Sequence, residues 1–207
     1  MITVIAAIIL FLLILSSAVV IALNARFVYY HDIKALGISE QSGLPEAVIK
    51  HNYDVLVDYN QIWTRSELHL PDFVMSEGGR IHFREVKVIF DIFQLLFVLT
   101  LAAYTVMRLK IKSLADKRHA RLCGYICFSI TGALGIFALI GFDKLFTAFH
   151  HVFFRNDYWI FDASSDPVIT ILPETFFLHE ALLILGIVLL GGLSAFLLGL
   201  KAKKKTQ

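Results

Sequence analysis

Three histidines in the sequence stand in settings that suit proton transfer. His150 and His151 follow an apolar stretch and lie among aromatic residues, and His82 is followed three residues later by Glu85. Imidazole gains and loses a proton close to neutral pH, and a carboxylate one helical turn away can set its tautomer and raise its basicity. These residue types predict general acid–base catalysis, whereas the alternative for each histidine is an interfacial side chain without a chemical role.

We expect the segment RIHFREVKVIFD to be a helix that enters the membrane, and such a helix presents two different faces. At about 100° per residue, His82 and Glu85 share one face, and Arg84, Lys87 and Asp91 lie nearly opposite. Asp91 would then be a carboxylate at membrane depth, with Lys87 one turn away as its partner. The alternative for Asp91 is a purely structural ion pair.

The directions of the two adjacent histidines depend on the helix that precedes them. If that helix continues outward, Asp143, Thr147 and His150 share one stripe, and His151 points about 80° away from Asp143. Spacing therefore favours His150 as the histidine that faces the protein and His151 as the one that faces lipid headgroups. The surrounding rings, which include Trp159, are typical of an aromatic belt at a membrane surface.

Hydropathy predicts a polytopic membrane protein with an all-α fold. Of the 207 residues 57% are hydrophobic, and the mean hydropathy is +0.72, which exceeds that of an ordinary soluble domain. A helix needs about 20 mostly apolar residues to cross a membrane. Four segments meet this requirement, namely 2–23, 88–107, 122–142 and 176–200. The first has no basic residues before it and is long for the apolar region of a signal peptide, so we expect it to be retained as a helix.

Lysine and arginine are distributed unevenly among the connecting segments. The loop 108–121 carries six basic residues and one acidic residue, and the tail 201–207 carries four lysines and no acid. The positive-inside rule therefore predicts that both are cytoplasmic, as is the N-terminus, and that 24–87 and 143–175 lie outside. We expect the first of these outer segments to form a small extracytoplasmic cap.

Local signals subdivide the two outer segments. Gly43 and Pro45 indicate the start of a helix, and Gly78 with Gly79 indicates a turn before the second spanning helix. The apolar stretch VITIL, 168–172, is consistent with a short strand or an in-plane segment.

Several catalytic classes leave no signature in the chain. No phosphate loop or dinucleotide fingerprint occurs, and no serine stands in a nucleophile elbow. Cys123 and Cys127 lie in one apolar stretch, where we expect packing, with lipidation as the alternative. No two-ligand zinc motif such as H-E-x-x-H occurs. A metal-dependent membrane hydrolase and a non-enzymatic scaffold or accessory protein stay open beside acid–base catalysis on a lipid-embedded substrate.

Three long stretches and the four-span layout resemble the Lit family, the lipoprotein intramolecular transacylases of Gram-positive bacteria. The stretches are NYDVLVDY, LPDFVMSEGGRIHFREVK and FDKLFTAFHHVFFRNDYWIFDASSDPVITILPETFF. Within them, the patterns H-F-x-E-V-K and F-H-x-x-F-F-x-N-D-x-W-x-F-D are specific in combination. The likeness covers nearly the whole chain.

The resemblance implies a plasma-membrane enzyme with four helices and an extracytoplasmic cap. Its activity would move the sn-2 acyl chain of a diacylglyceryl lipoprotein to the α-amino group of the N-terminal cysteine, which gives a lyso-form lipoprotein. By the family's pattern the two central histidines are His82 and His150, and the second histidine at His151 is a departure from it. Ester-to-amide transfer within one molecule runs downhill, so the resemblance implies no cofactor, metal or enzyme nucleophile.

Residues near the two histidines are candidates for supporting roles. We expect Glu85 to orient His82. Arg84, Lys87 and Arg155 are candidates for stabilising an oxyanion, with a structural role as the alternative for each. The expected partners are a lipoprotein substrate and membrane lipids, without nucleic acid, and the sequence specifies no oligomeric state.

Overall fold

The computed structural model describes residues 1–200. Over that range the chain forms eight α-helices and two short 3-10 helices, Lys112–Asp116 and Pro167–Ile171, with no β-strand. In chain order the α-helices are α1 (Ile2–Asn24), α2 (Arg26–Ala35), α3 (Ile38–Ser42), α4 (Glu46–Tyr59), α5 (Glu77–Lys110), α6 (Arg118–Ile140), α7 (Phe142–Phe153) and α8 (Glu174–Leu200).

Four helices, α1, α5, α6 and α8, are long and apolar enough to cross a membrane. The prediction of an all-α membrane protein with four spans is therefore confirmed. At 34 residues, α5 is about 51 Å long and exceeds the roughly 30 Å hydrocarbon layer. The predicted span 88–107 is thus only part of a helix whose first turns carry His82 and Glu85. The predicted cytoplasmic tail, 201–207, lies outside the described residues.

The described chain divides into two compact units. One comprises 1–20, 93–140 and 182–200. The other comprises 21–92 and 141–181, and it contains α2, α3, α4 and α7 together with the first turns of α5 and α8. Every candidate site residue from the sequence belongs to this second unit.

The first unit packs its helices through small side chains. Ala7, Cys123 and Cys127 are fully buried in its core. A Cβ on Gly191 would lie 2.7 Å from Ile14, so glycine permits the close approach of α8 and α1. Close contact of this kind stabilises helix pairs in a membrane, where apolar burial gives little driving force. The Sγ atoms of Cys123 and Cys127 lie 4.0 Å apart inside this core. Their burial agrees with the expectation that these cysteines serve in packing.

The second unit has an aromatic core. The rings of Tyr29 and Tyr53 are stacked with centroids 3.8 Å apart, and Phe176 lies edge-on to both. The hydroxyl of Tyr29 donates a hydrogen bond of 2.6 Å to the carbonyl oxygen of Ile171, which satisfies its one polar group inside the core. These contacts join α2, α4 and the start of α8.

A buried carboxylate also links α2 to α8. Asp32 is 1% exposed, and its two carboxylate oxygens lie 2.8 and 2.9 Å from Nδ1 of His179. Since a carboxylate oxygen only accepts, Nδ1 of His179 is the donor. The contact joins elements that are 147 positions apart in the chain.

The start of α5 depends on a residue far along the chain. The Ser76 side chain accepts a hydrogen bond from the Gly79 N–H, while the Asp166 carboxylate accepts one from the Ser76 N–H. A Cβ on Gly79 would overlap the Asp166 carboxylate, and one on Gly78 would lie 3.0 Å from the Tyr158 ring. The predicted turn at Gly78 and Gly79 is wrong, because both residues lie in the first turn of α5, where glycine makes room for these neighbours.

Three further predictions meet different outcomes. Pro45 immediately precedes α4, as expected of a helix start. The stretch 168–172 forms most of a 3-10 helix, so the strand interpretation is wrong. The condition on which the Asp143–His150 stripe rested is not met, because the helix is interrupted at Gly141, between α6 and α7.

Candidate active site

His82 and His150 meet inside the second unit. The ring centroids lie 6.0 Å apart, and the ring planes are inclined by 29°. The residues are only 6% and 7% exposed. His82 comes from the second turn of α5 and His150 from the last turn of α7. Two imidazoles from distant parts of the sequence thus share one buried location.

Aromatic side chains surround both imidazoles. Phe154 contacts both rings, with centroids 4.7 Å from His82 and 5.5 Å from His150. Phe161 lies edge-on to His82 at 5.4 Å, and Trp159 lies 4.5 Å from His150. The surroundings are therefore apolar, and a low local dielectric strengthens any polar contact that forms there.

The tautomer of His150 follows from the contact of its ring with a backbone carbonyl. Nδ1 lies 2.7 Å from the carbonyl oxygen of Phe146, and because a carbonyl can only accept, Nδ1 carries the hydrogen. The neutral ring therefore has its lone pair on Nε2. Burial, together with the nearby His151, lowers the pKa of His150 below its usual value of 6.5 and outweighs the opposing effect of the Phe146 contact. Burial thus favours the neutral form of His150, in which Nε2 carries the lone pair.

The two adjacent histidines have different surroundings. His151 is exposed, and its ring meets Trp159 edge-on at 5.6 Å. His150 is buried, as the spacing argument favoured. Asp143 and Thr147, which were expected on the same stripe as His150, are exposed. The side chains of Asp143 and Thr147 therefore do not lie beside the buried ring of His150.

Glu85 does not hold His82 in the way the sequence suggested. Its Oε1 accepts a hydrogen bond of 2.9 Å from the side-chain amide of Asn156. Within residues 1–200, its Oε2 is buried without a hydrogen-bond partner, and so is Nδ1 of His82. Spacing of three residues puts His82 and Glu85 on one face of α5, but the Glu85 carboxylate accepts its hydrogen bond from Asn156.

Two residues at this location were missed as site residues by the sequence reasoning. Asn156 holds Glu85, and its own Oδ1 accepts a hydrogen bond from the Tyr158 N–H at 3.1 Å. Trp159, interpreted as part of an aromatic belt, lies over His150 and has a buried Nε1 with no partner in the described chain. Both residues belong to the N-D-x-W part of the motif F-H-x-x-F-F-x-N-D-x-W-x-F-D. Membership of that motif is the feature of the sequence that pointed to a role for them in the site.

The opposite face of α5 holds the predicted ion pair. Lys87 Nζ lies 3.2 Å from Asp91, donates a hydrogen bond of 2.9 Å to the Gln61 carbonyl and stands over the Tyr59 ring. The Lys87 side chain is 12% exposed, so its charge is held mainly by these groups. This arrangement agrees with the structural interpretation of Asp91.

Arg84 and Arg155, the other two cation candidates, are both exposed. Arg84 lines a cleft of about 220 Å³ together with Tyr59, Glu67, Leu68, Glu77 and Arg80. In the part of the chain that the structure describes, neither arginine nor Lys87 is hydrogen-bonded to an imidazole of the buried pair or to Glu85. Nor do residues 1–200 contain a group of three or more histidine, cysteine or acidic side chains that could hold a metal ion.

Comparison with known proteins gives a consistent likeness. The family model for the lipoprotein intramolecular transacylase Lit matches residues 4–177. The solved structure of the membrane-integral lipoprotein intramolecular transacylase Lit from Bacillus cereus is similar, with a TM-score of 0.91 and 32% identity over 95% of this chain and 91% of that chain.

Two variants of the Bacillus cereus protein are similar as well. In one a histidine is replaced by arginine, with a TM-score of 0.84 and 31% identity over 95% of this chain and 88% of that chain. In the other a histidine is replaced by alanine, with a TM-score of 0.85 and 30% identity over 97% of this chain and 91% of that chain. No curated protein matches the chain significantly.

Proposed function

The chain belongs to the Lit family of lipoprotein intramolecular transacylases, and from this premise we propose the reaction that it catalyses. The substrate is a diacylglyceryl lipoprotein with a free N-terminal cysteine. The sn-2 acyl chain passes from the glycerol oxygen to the α-amino group of that cysteine. The product is a lyso-form lipoprotein with one chain on nitrogen and one on glycerol.

The observation that carries this proposal is the buried pair of imidazoles, His82 and His150, with ring centroids 6.0 Å apart. The reaction needs a group that removes a proton from the amine and a group that supplies one to the departing glycerol oxygen. Histidine is suited to both tasks near neutral pH. Two histidines at this separation can exchange protons with the nitrogen and with the glycerol oxygen of one tetrahedral intermediate.

We assign the base to His150. Its contact with Phe146 leaves Nε2 with a lone pair, and its lowered pKa keeps that lone pair available at pH 7. An α-amino group has a pKa of about 7.7 to 8.0, so transfer of its proton to an imidazole is a modest step. His82, whose ring also contacts Phe154, serves the glycerol oxygen.

The bonds and protons balance without any further reactant. The ammonium form first loses a proton to solvent through His150, which returns to its neutral form. The neutral amine nitrogen then attacks the ester carbonyl carbon and gives a second proton to His150. The carbon–oxygen bond to glycerol then breaks as the glycerol oxygen receives a proton through His82. A proton passes from His150 to His82 to restore the starting state, so one ester and one amine become one amide and one alcohol.

Positioning is the main contribution that such an enzyme can make. Nucleophile and ester belong to the same molecule, so no enzyme nucleophile or cofactor is required. Holding the two groups in attack geometry can lower a barrier by roughly 7 to 11 kcal/mol in favourable cases. The aromatic surroundings of His82 and His150 would keep water from competing with the amine for the ester.

We further propose that the chain is a multi-pass protein of a bacterial plasma membrane whose site faces outward. Basic residues in the loop 108–121 support a cytoplasmic location for that loop and for both termini. The segments that carry His82 and His150 then lie on the extracytoplasmic side, where mature lipoproteins have their lipid-modified cysteine.

Mass spectrometry of a reporter lipoprotein tests the reaction. The chain is produced in a bacterial host whose lipoproteins are diacylglyceryl forms with free amino termini. Because transfer leaves the mass unchanged, the N-terminal lipopeptide is fragmented to locate its two chains. One chain on nitrogen, present only when the protein is produced, supports the proposal. Two chains on glycerol, with the protein present in the membrane, refute it for that substrate.

A further inference from the structure

Three buried polar atoms around the imidazole pair have no hydrogen-bond partner within residues 1–200. They are Oε2 of Glu85, Nε1 of Trp159 and Nδ1 of His82. Leaving a polar atom buried and unpaired destabilises the folded protein, and a charged group does so more strongly. Folded proteins retain few such atoms, and a group of them in one place indicates where another molecule supplies the partners.

Glu85 is the most demanding of the three residues because it carries a charge when ionised. Asn156 holds one of its oxygens, and the Asn156 side chain is itself fixed through the Tyr158 N–H. The carboxylate is thus oriented from a loop 71 positions further along the chain. Its second oxygen stays available, at a fixed position on the face of α5 that also bears His82.

No cation of the described chain neutralises Glu85. Lys87, the nearest lysine in sequence, is bound to Asp91 and to the Gln61 carbonyl. Arg84 and Arg155 are exposed and form no ion pair with Glu85. Glu85 is half-buried, and a carboxylate oxygen that is removed from water is costly unless a positive group or several donors accompany it. A positively charged group on the bound molecule would meet this requirement.

We infer that Glu85 binds the α-ammonium group of the substrate and thereby selects lipoproteins whose N-terminus is not acylated. The inference rests on the proposed function for the identity of that amine. One N–H bonds to Oε2 of Glu85, and a second faces Nε2 of His150, which removes its proton. An N-acylated terminus has no positive charge and only one N–H, so it leaves the carboxylate unpaired.

Binding of lipopeptides that cannot react tests this selection. Dialkylglyceryl cysteine peptides contain ethers in place of esters, so no acyl chain can move. One peptide has a free α-amine and the other is N-acetylated. Both are titrated into the purified full-length protein in detergent micelles. Wild-type protein is expected to bind the free-amine peptide about tenfold to a hundredfold more tightly, in line with one charged hydrogen bond.

Glu85→Gln is the informative variant, with Glu77→Gln as its matched control. Glu77 is an exposed residue in the first turn of the same helix, and the chemical change is identical. Glu85→Gln should abolish the preference for the free amine while binding of the N-acetylated peptide stays within about twofold. Glu77→Gln should keep the wild-type preference. Retention of the preference in Glu85→Gln, or its absence from wild-type protein, would overturn the inference.

A second measurement covers the case in which Glu85→Gln binds neither peptide because it misfolds. Wild-type protein is treated with a membrane-permeable carbodiimide and the free-amine peptide. Carbodiimide activates a carboxylate, which then forms an amide with an amine in contact and releases a urea. An adduct at Glu85 in the digested protein supports the inference, and absence of that adduct overturns it.

These assays do not depend on turnover. If the wild-type protein prefers the free amine but transfers no chain in ester-containing lipoproteins, the proposed reaction fails and Glu85 still marks an amine-binding site. If chain transfer occurs without any amine preference in binding, the reaction stands and the role of Glu85 fails.

Discussion

The imidazoles of His82 and His150 lie 6.0 Å apart with the ring of Phe154 in contact with both. This arrangement gives each histidine the same apolar neighbour and leaves neither of them open to bulk water. Two groups that exchange protons with one bound molecule must lie close together in a site from which bulk water is excluded.

Replacement of either histidine should therefore remove activity. We expect His82→Ala and His150→Ala each to lower chain transfer by a factor of about 10² to 10⁴, the usual contribution of a positioned acid or base. The readout is the fraction of reporter lipopeptide with one chain on nitrogen, normalised to the amount of protein in the membrane. His31→Ala serves as control, since His31 is exposed on α2. Activity near the wild-type value in either site variant would remove that histidine from the mechanism.

The neighbour of His150 should be dispensable. His151 is exposed and meets the edge of the Trp159 ring, so His151→Gln should keep activity within about twofold, as is usual for surface changes. The same mass-spectrometric assay measures this. Complete loss of transfer would mean that His151, and not His150, acts on the amine.

The protonation of His150 can be observed directly. Burial lowers the pKa of His150, so its ring in the folded protein should stay neutral as the pH falls through 6.5 and gain a proton only below that value. The unfolded chain takes up this proton first, so the contribution of His150 to stability is present above pH 6.5 and declines below it. Nitrogen-15 NMR of labelled imidazoles, assigned with His150→Gln, reports both the pKa and the tautomer. A pKa at or above 6.5, or a neutral form with the hydrogen on Nε2, would contradict the assignment of the base.

A methyl group at Gly79 should disturb the start of α5. A Cβ at that position would overlap the Asp166 carboxylate, which is buried and already bonded to the Ser76 N–H. We expect Gly79→Ala to lower the free energy of unfolding by about 1–3 kcal/mol, as overpacking usually does. Gly132→Ala is the control, because no atom lies within 4 Å of a Cβ there. Equal thermal stability of the two variants in detergent would show that the close approach does not exist.

The Asp32–His179 contact should contribute to stability as a pair. Asp32 is buried and His179 is partly exposed, so we expect Asp32→Asn to cost about 1–3 kcal/mol, below the range for fully buried pairs. The double variant Asp32→Asn with His179→Gln should cost little more than the first change alone, because both remove one interaction. Thermal unfolding of the four proteins completes the cycle. Additive losses would mean that the two side chains act independently.

The spanning helices could be predicted because length and apolar composition are local properties of the chain. The helix from Arg80 onward was predicted as well. The start of α5 at Glu77 was not, since Gly78 and Gly79 suggested a turn and Asp166, 90 positions beyond Ser76, holds the beginning of the helix. Gly78 and Gly79 are typical turn residues when neighbours are unknown. Their actual role is to admit Tyr158 and Asp166, which no local pattern indicates.

The candidate site was predicted in part for a similar reason. Helical spacing placed His82 and Glu85 on one face of α5, and it favoured His150 over His151. Spacing cannot tell which donor a carboxylate will meet, and the donor proved to be Asn156 from a distant loop. The sequence around a tryptophan that packs on an imidazole looks the same as the sequence around a tryptophan in an interfacial belt. Trp159 was therefore not distinguished from the neighbouring aromatic residues.

The dependence of α5 on Asp166 has a consequence for biosynthesis. A chain leaves the ribosome from its N-terminus, so His82 is made and inserted long before the loop that completes its surroundings. Until Asp166 has been made, the Ser76 N–H lacks the carboxylate that accepts its hydrogen bond. Glu85 likewise lacks its donor until Asn156 has been made. The ring of His150, the side-chain amide of Asn156 and the carboxylate of Asp166 are all made after His82. A nascent chain that stalls before Asp166 would carry an unformed centre, so catalytic competence should appear only after Asp166 has been made.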